Sequence, residues 1–258
     1  MKQRLDLVLV GRGLVETRSQ AESWIRLGRV SVADRIVKKP GFFVADNAVI
    51  KLKAEEQYVS RAGLKLASVA SVLGINFDDK VVLDVGSSTG GFTDYALKHG
   101  AQKVIAVDVG TDQMHPSLRG DDRVELHEKT NILDVGRLAV SDSNNTVAQA
   151  PNSYSLSSIP DIVVMDLSFV SLRHILPHIA GLCGPRTQVV AMVKPQFEAG
   201  KHQVNKGVIK NNAVRRQILK EFEAWVKDYF MICDKADSQV HGASGNQERF
   251  YLLTPLTK

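Results

Sequence analysis

The sequence predicts an α/β protein: a mostly parallel sheet covered by helices on both faces, preceded by a small α/β segment of different character. Three observations carry that expectation. From Val81 onward, near-continuous apolar runs alternate with helical patterns, as strands buried on both faces do. The first of those runs, Val81–Val85, hands over to a glycine-rich turn. The charge is also divided along the chain. Residues 1–65 hold 13 Lys and Arg against 7 Asp and Glu, a net of +6, whereas residues 66–258 hold 20 against 21.

Composition narrows the class. The 258 residues are 44% hydrophobic and 24% charged, which excludes collagen-like, coiled-coil and wholly disordered chains. The length suits a small domain joined to a larger one, with expected boundaries at 1–55, a linker over 56–62, and 63–258. No run of 18 apolar residues is present, so no transmembrane helix is expected. The opening MKQRLDLVLVGRG lacks the apolar core and cleavage site of a secretory signal. Cys183 and Cys233 are too few for a disulfide framework and too isolated for a metal site. A cytoplasmic protein without a metal is the expectation.

The elements follow in order. Leu5, Leu7, Leu9 and Val10 open a helix that Gly11-Arg12-Gly13 breaks. Ser19 is the expected N-cap of a second helix, Gln20–Leu27, which buries Ala21, Trp24 and Ile25, with Gly28 at its left-handed C-terminus. Val30, Val32, Ile36 and Val37 supply β-type residues, Lys39-Pro40-Gly41 a turn, and Val49–Leu52 a last small strand. In the larger part, strands are expected at Val81–Val85, Lys103–Asp108, Ile162–Asp166, Gln188–Val193 and Arg249–Leu253. Helices are expected at Phe92–His99 and Asn212–Lys227, the latter with Val214, Ile218, Leu219, Phe222 and Trp225 on one face. Residues 141–158, SDSNNTVAQAPNSYSLSS, read as a polar mobile insertion without chemistry of its own.

A basic segment ahead of a nearly neutral body suits a polyanion-binding module, although an inert solvated face would carry the same charge. Its residues are more specific than its charge. Arg4-Leu5-Asp6, Thr17–Ala21, Ile25–Val32 and Lys38-Lys39-Pro40 resemble the S4 RNA-binding domain over nearly the whole segment. The resemblance implies that Arg4, Arg12, Arg18, Arg26, Arg29, Lys38 and Lys39 meet phosphates of folded RNA, contacts that position without specifying sequence.

Asp84-Val85-Gly86-Ser87-Ser88-Thr89-Gly90-Gly91 stands where a strand gives way to a helix. Glycines there let a ligand approach the backbone beside free helix N–H groups; a tight junction without ligand would look similar. No Gly-Lys-Ser/Thr follows, and the G-x-G-x-x-G spacing is missing. Asp108 ends the next strand, 24 residues after Asp84, where a carboxylate can accept both hydroxyls of a ribose. That combination fits a nucleoside cofactor without a pyrophosphate, and S-adenosylmethionine has that shape.

Asp84, Asp108, Asp166 and Lys194 each end an apolar strand. Ligands of open α/β sheets bind beyond the carboxyl ends of their strands, and four such charges at one edge point to an active site. Lys65, in a helix expected over Ser60–Leu66 just before the first strand, and Glu248, which begins the last strand in Gly245–Glu248, complete the set. With these stretches, Val107–Gly110, Lys129-Thr130-Asn131, Asp166–Phe169 and Val193–Glu198, the chain resembles the TlyA family over nearly its full length. That family joins an S4 domain to a ribose methyltransferase of the FtsJ/RrmJ type. Its Lys-Asp-Lys-Glu catalytic set falls on Lys65, Asp166, Lys194 and Glu248. The resemblance further implies a Rossmann-like class I methyltransferase sheet and transfer of a methyl to the 2′-hydroxyl of cytidine in small- or large-subunit ribosomal RNA. The expected cofactor set is Asp84, Gly86, Ser87, Ser88, Thr89, Gly90, Gly91, Asp108, Asn131 and Asp166. Two departures stand out: Ala62 where Gly is more usual, and a longer insertion over 141–158.

A ribose hydroxyl is a poor nucleophile and a sulfonium methyl a good electrophile, so the enzyme must align them and help one proton leave. Lys194 is expected to contact the 2′-oxygen as base or electrostatic stabiliser, Asp166 to orient Lys194, and Glu248 to hold Lys65 or the ribose. Other constellations carry less. His174 and His178 stand at i, i+4, yet Pro177 interrupts the turn and no zincin glutamate follows. Lys201–Arg216, with Lys206, Lys210, Arg215 and Arg216, is a second basic stretch that suits RNA or a solvated helix start. Ser168 and Ser171 lack a nucleophile-elbow context. The chief rivals are a non-catalytic ribosome-binding or assembly protein, and a membrane-acting haemolysin, a label the family also carries. The latter needs an amphipathic or apolar insertion segment, which the sequence does not offer. Oligomeric state is not read from the sequence.

Overall fold

The computed structural model describes residues 2–15, 17–26, 28–53, 58–137, 154–200, 203–204, 207–209, 211–242 and 245–256. Its N-terminal part runs β1 (Lys2–Arg4), α1 (Leu5–Gly11), α2 (Arg18–Arg26), β2 (Val30–Val32), β3 (Arg35–Ile36), β4 (Phe43–Ala45) and β5 (Ile50–Leu52). β1 pairs antiparallel with β4, and β2 lies between β3 and β5. Helix α2 buries Ala21, Trp24 and Ile25 as its spacing requires. Its cap is not Ser19: the Thr17 hydroxyl accepts the Gln20 N–H at 3.2 Å, two residues earlier than the sequence suggested. Gly28 adopts φ +71° after the helix, the left-handed exit that favours glycine.

The larger part continues with α3 (Arg61–Ala70), β6 (Val81–Val85), α4 (Gly91–Lys98), β7 (Lys103–Val107), α5 (Pro116–Arg119), β8 (Val124–His127), β9 (Val135–Gly136), β10 (Tyr154–Ser155) and β11 (Ile162–Met165). It closes with α6 (Leu176–Leu182), β12 (Gln188–Val193), α7 (Pro195–Glu198), α8 (Asn212–Val226), β13 (Phe230–Asp237) and β14 (Arg249–Pro255). Seven strands form one sheet in the order β13-β14-β12-β11-β6-β7-β8. β12, β11, β6, β7 and β8 are parallel, whereas β14 pairs antiparallel with β12 and β13 antiparallel with β14. The chain leaves β6 for β7 on one side and later returns as β11 on the other. The carboxyl end of β6 is therefore the switch point where such sheets bind ligands.

Alternation along the strands feeds two cores. Val82, Val104, Val164 and Val190 face one layer with Leu64, Phe92 and Tyr95, while Leu83, Ile105, Val163 and Val189 face the other with Leu176, Ile179 and Phe222. Leu5, Trp24, Ile25 and Val30 of the N-terminal part belong to the first layer, so the two parts share packed apolar side chains on the α3 side of the sheet.

Several expectations shift. Helix α3 begins at Arg61, so the end of the linker expected over 56–62 is helical; residues 54–57 lie outside the described residues. Tyr154 and Ser155, expected in the insertion loop, pair in parallel with Val135 and Gly136. Residues 138–153 of that stretch lie outside the described residues. Strands β8 and β13 had no counterpart in the sequence reading. Both are edge strands with half-buried or exposed positions, and without a continuous apolar run they lack the signal that marked the central strands.

Candidate active site

The glycine turn owes its shape to two different demands. Gly86 has φ +81°, and a Cβ there would stand 2.9 Å from Leu167 Cδ2 and 3.2 Å from the Asp166 carbonyl oxygen. It lines both cavities at this edge. Gly91 answers to packing: a Cβ would meet Ala62 Cβ and the Gly63 nitrogen, each at 2.8 Å. Gly63 in turn lies under Tyr58 and the Gly91 carbonyl, so α3 and α4 touch through two glycines. Gly90 faces Leu118. Among the described lining residues, neither Gly90 nor Gly91 borders a cavity at this edge.

The larger cavity, about 630 Å³, runs from Gly86 and Ser88 past Asp108 and Asn131 to Leu167 and Phe169. Asp108 is fixed by two backbone donors, Ser88 N–H to Oδ2 at 2.8 Å and Gly110 N–H to Oδ1 at 2.7 Å. Each carboxylate oxygen keeps a lone pair for a further donor. Asn131 is engaged locally, its Oδ1 accepting the Leu133 N–H at 3.1 Å. Exposed Val109 and Leu133 offer apolar contact beside Asp108.

A smaller cavity of about 130 Å³ adjoins it, lined by Ala62, Asp84, the turn from Gly86 to Thr89, Asp166, Ser168 and Lys194. Asp84 is fully buried; Oδ2 accepts the Thr93 hydroxyl at 2.7 Å, and Oδ1 has no hydrogen-bond partner. Burial pushes the Asp84 pKa up to about 7, with the Thr93 hydroxyl opposing and the carboxylates of Asp166 and Asp108 adding to the rise. An orphaned buried carboxylate oxygen, a backbone cradle at Gly86 and a carboxylate pinned at the strand end together fit a nucleoside ligand that carries positive charge.

Lys194 ends β12, 8% exposed. Its Nζ lies 2.6 Å from Asp166 Oδ1 and donates to the Ser168 hydroxyl at 2.6 Å. Glu248 is buried and pairs with Lys65 at 3.3 Å, leaving its Oε2 without a partner. Two features bring the pairs together. Val193 faces Arg249 in the antiparallel β12–β14 ladder, so Lys194 and Glu248 continue the same register at one end. Lys65 lies three residues beyond Ala62 on α3 and shares its face, and Ala62 lines the small cavity with Lys194. The four charges thus form two neighbouring ion pairs at the sheet edge.

Sequence reasoning missed three supports. Ser168, weighed only as a nucleophile, holds Lys194. Glu198 accepts the Ser171 hydroxyl at 2.6 Å and the Leu172 N–H at 2.7 Å, fixing the loop after β11. Phe169 is 92% exposed with φ +65°, uncommon for a bulky residue, and its ring lies 5.3 Å from that of Phe197. The Asp-Leu-Ser-Phe string was visible; the backbone state of its phenylalanine was not.

The basic residues divide. Arg4 and Arg18 grip the buried Asp6 at 2.8 and 2.9 Å. Burial acts to raise the Asp6 pKa, but the two guanidiniums outweigh it and hold it low. Arg12 donates to the carbonyls of Ala48 and Asp46 at 2.8 and 2.6 Å. Arg26, Arg29, Lys38 and Lys39 are exposed, without an ion pair among the described residues. In the second basic stretch, Arg215 is committed to Asp237 at 2.6 Å; Lys201, Lys206 and Lys210 lie outside the described residues. His178 is engaged locally, its Nε2 lying 2.9 Å from the Val135 carbonyl oxygen. No group of three metal-ligating side chains occurs among the described residues. Nor is any described helix long and apolar enough to cross a membrane. Cys183 is buried, its thiol pushed up to about 12 by that burial.

Comparison with known proteins agrees with this layout. The family model for FtsJ-like methyltransferases matches residues 58–254, and that for the S4 domain residues 3–50. Hemolysin A of Brachyspira hyodysenteriae is 36% identical over 95% of this chain and 97% of its own length. The 16S/23S rRNA (cytidine-2'-O)-methyltransferase TlyA of Mycobacterium tuberculosis is 34% identical over 99% of this chain and 91% of its own. A solved structure from Streptococcus thermophilus, described as a hemolysin, covers the whole chain and 90% of its own at 35% identity and a TM-score of 0.69. Likeness of this extent in both parts, with the methyltransferase sheet and its S4 segment in one order, makes the chain a member of the TlyA family of FtsJ-like methyltransferases.

Proposed function

We propose that the protein methylates the ribose 2′-hydroxyl of cytidine in ribosomal RNA, with S-adenosylmethionine as donor and the S4 domain holding the RNA. Ribosomal RNA as substrate sets the compartment as the cytoplasm. The observation that carries the reading is Lys194, held 2.6 Å from both Asp166 and Ser168 at the mouth of a cavity floored by Asp84 and the glycine turn.

The cofactor would be held by Asp108 at its ribose, by the backbone at Gly86–Ser88, and by Asp84 and Asp166 on its cationic side. When bound it supplies an electrophilic methyl on a sulfonium. The chain's own residues do the rest. An ammonium has three N–H donors. On Lys194 one is donated to the Ser168 hydroxyl, Asp166 Oδ1 stands 2.6 Å away as the ion-pair partner, and a further N–H is available to a ribose oxygen. Lys194 Nζ therefore meets the 2′-oxygen and offsets the negative charge that builds as the hydroxyl proton passes to water, the role of a preorganised electrostatic stabiliser. Asp166 fixes where that cation stands. Lys65 of α3 and Glu248, paired with each other at 3.3 Å, orient the ribose. Phe169, exposed on the rim, offers a face to the nucleotide being modified.

The test is transfer of labelled methyl from S-adenosylmethionine to ribosomal RNA and subunits, with mapping of the product. Label on cytidine 2′-oxygen is expected, and Lys194→Ala lowers kcat by about 10²–10⁴-fold, the usual range for a proton-handling or charge-stabilising group. Label on a base, or near-unchanged turnover of Lys194→Ala with saturating RNA, overturns the reading.

A further inference from the structure

A third cavity, about 490 Å³, lies away from the active site, where α2 of the S4 domain meets α3 and the far end of α4. Its volume is in the range of about 300–1,000 Å³ that small-molecule sites occupy. Its walls include Trp24, Arg29, Tyr58, Ser71, Tyr95 and His99. Four of these are aromatic rings. Tyr58 and Tyr95 have centroids 5.4 Å apart, and Tyr95 stacks on His99 at 3.9 Å with 17° between the planes. Trp24 is 5% exposed, and its buried indole Nε1–H has no acceptor. A buried donor left unmade costs free energy comparable to a lost hydrogen bond, which a ligand bearing an acceptor would restore.

Charge gives the ligand a second requirement. Arg29 is exposed and free of ion pairs among the described residues, whereas nearby Lys98, 5.1 Å over the Tyr58 ring, is already paired with Asp94 at 3.1 Å, so Arg29 is the cation the cavity offers. No Asp or Glu is among the described lining residues. A planar group with hydrogen-bond acceptors, joined to an anion, satisfies aromatic walls, orphan donor and cation together. That is the chemistry of a nucleotide.

We propose that this cavity receives one unstacked nucleotide of the bound RNA, its base against Trp24 and Tyr95 and its phosphate on Arg29. The inference rests on the RNA-binding reading and deepens it. The S4 surface and the methyltransferase would then read the RNA through a pocket to which both contribute walls, so strand binding would also fix the angle between them. Stacking on protein aromatics is tolerant of base identity, and the site would select unpaired RNA rather than a sequence.

Trp24 and Trp225 are the two tryptophans of the chain, so a Trp225→Phe background leaves Trp24 as the reporter in the full-length protein. The probe is a single-stranded RNA decamer of cytidines, with cytidine 5′-monophosphate as the free-nucleotide arm and anisotropy of the labelled decamer as an independent measure of binding. Saturable quenching of Trp24 by the decamer is expected. Ser71 is exposed on the cavity wall, so Ser71→Tyr fills the space without disturbing the core. It should abolish the quenching and weaken decamer binding about fivefold or more, the lower end of what one stacked base contributes. Arg29→Gln serves should Ser71→Tyr misfold, and should weaken quenching and binding together. Decamer binding with unmoved Trp24 emission overturns the pocket and leaves the proposed function standing. Quenching by the monophosphate but not by the decamer overturns the RNA strand as occupant. Absence of decamer binding overturns the pocket as a site for unpaired RNA, and the proposed function falls with it only if ribosomal RNA and subunits also go unmethylated.

Discussion

Replacing Asp84 by Asn tests the electrostatics of the site directly. The carboxyl lies in the central strand, its neighbours Val164 and Ala106 on either side in register, and burial pushes its pKa from the ordinary 3.8 to about 7. A folded carboxyl that holds its proton more tightly than the unfolded chain contributes stability in its protonated form. That contribution is complete below about pH 4 and is lost as pH rises through about 7, because over this interval the folded state binds more protons. At about 1.4 kcal/mol per pH unit, the interval is worth about 4 kcal/mol, a ceiling that water entry and local relaxation lower. Asn keeps the shape and the Thr93 hydrogen bond but cannot ionise. Urea unfolding of the wild type between pH 5 and 8 should therefore show falling stability, while Asp84→Asn stays level over this part of its profile and gains on the wild type by up to about 3 kcal/mol across that window, the share of the interval lying above pH 5. Parallel profiles for the two proteins would refute the assignment of a raised pKa to Asp84 and with it the orphaned-carboxylate account of the small cavity.

Two further outcomes follow from packing and charge. Gly63→Ala drives a Cβ to 2.6 Å from the Tyr58 side chain and 2.9 Å from the Gly91 carbonyl, so α3 must shift; a loss of about 1–3 kcal/mol is expected in urea unfolding, and wild-type stability would discount the two-glycine contact. In RNA binding followed against salt, Lys38→Gln with Lys39→Gln should reduce the slope of log K by about 1.4, two phosphate contacts at about 0.7 each for a single strand. Arg18→Gln should change it less, because Asp6 already opposes that charge; equal change per charge removed would contradict the division of the basic residues.

The parts of the fold visible in the sequence are those fixed by local demands. Val81–Val85 and Gln188–Val193 are buried on both faces and had to be apolar throughout; Gly28 and Gly86 carry backbone angles that favour glycine. What stayed hidden depends on partners distant in sequence. Strand β13 alternates polar residues because it is an edge, and its Asp237 makes sense only beside Arg215 and Arg249. Arg4 and Arg18 read as RNA ligands because nothing in their own neighbourhood shows that both reach Asp6. The clue was present in Asp6, a carboxylate among the buried helix positions Leu5, Val8 and Leu9, where burial demands a cationic partner. The catalytic set was assembled by family resemblance, since four residues between 65 and 248 have no spacing rule. The structure adds a placement to that resemblance: β14 runs antiparallel to β12, so Lys194, next after Val193, and Glu248, just before Arg249, leave the ladder at the same end.

That placement also explains why the site uses two ion pairs instead of one. A lysine taken from water into this edge needs a carboxylate beside it, and a buried pair adds little to stability once desolvation is counted. Two pairs are thus a poor way to stabilise a sheet edge that apolar side chains could have closed. They are a good way to hold two ammonium groups at fixed positions with donors left over. Lys194 spends one donor on Ser168 beside its ion pair with Asp166, and Glu248 keeps Oε2 without a partner. The unspent donor and the unspent acceptor belong to residues that leave the β12–β14 ladder at the same end, a placement suited to gripping a ribose whose neighbouring hydroxyls each donate and accept.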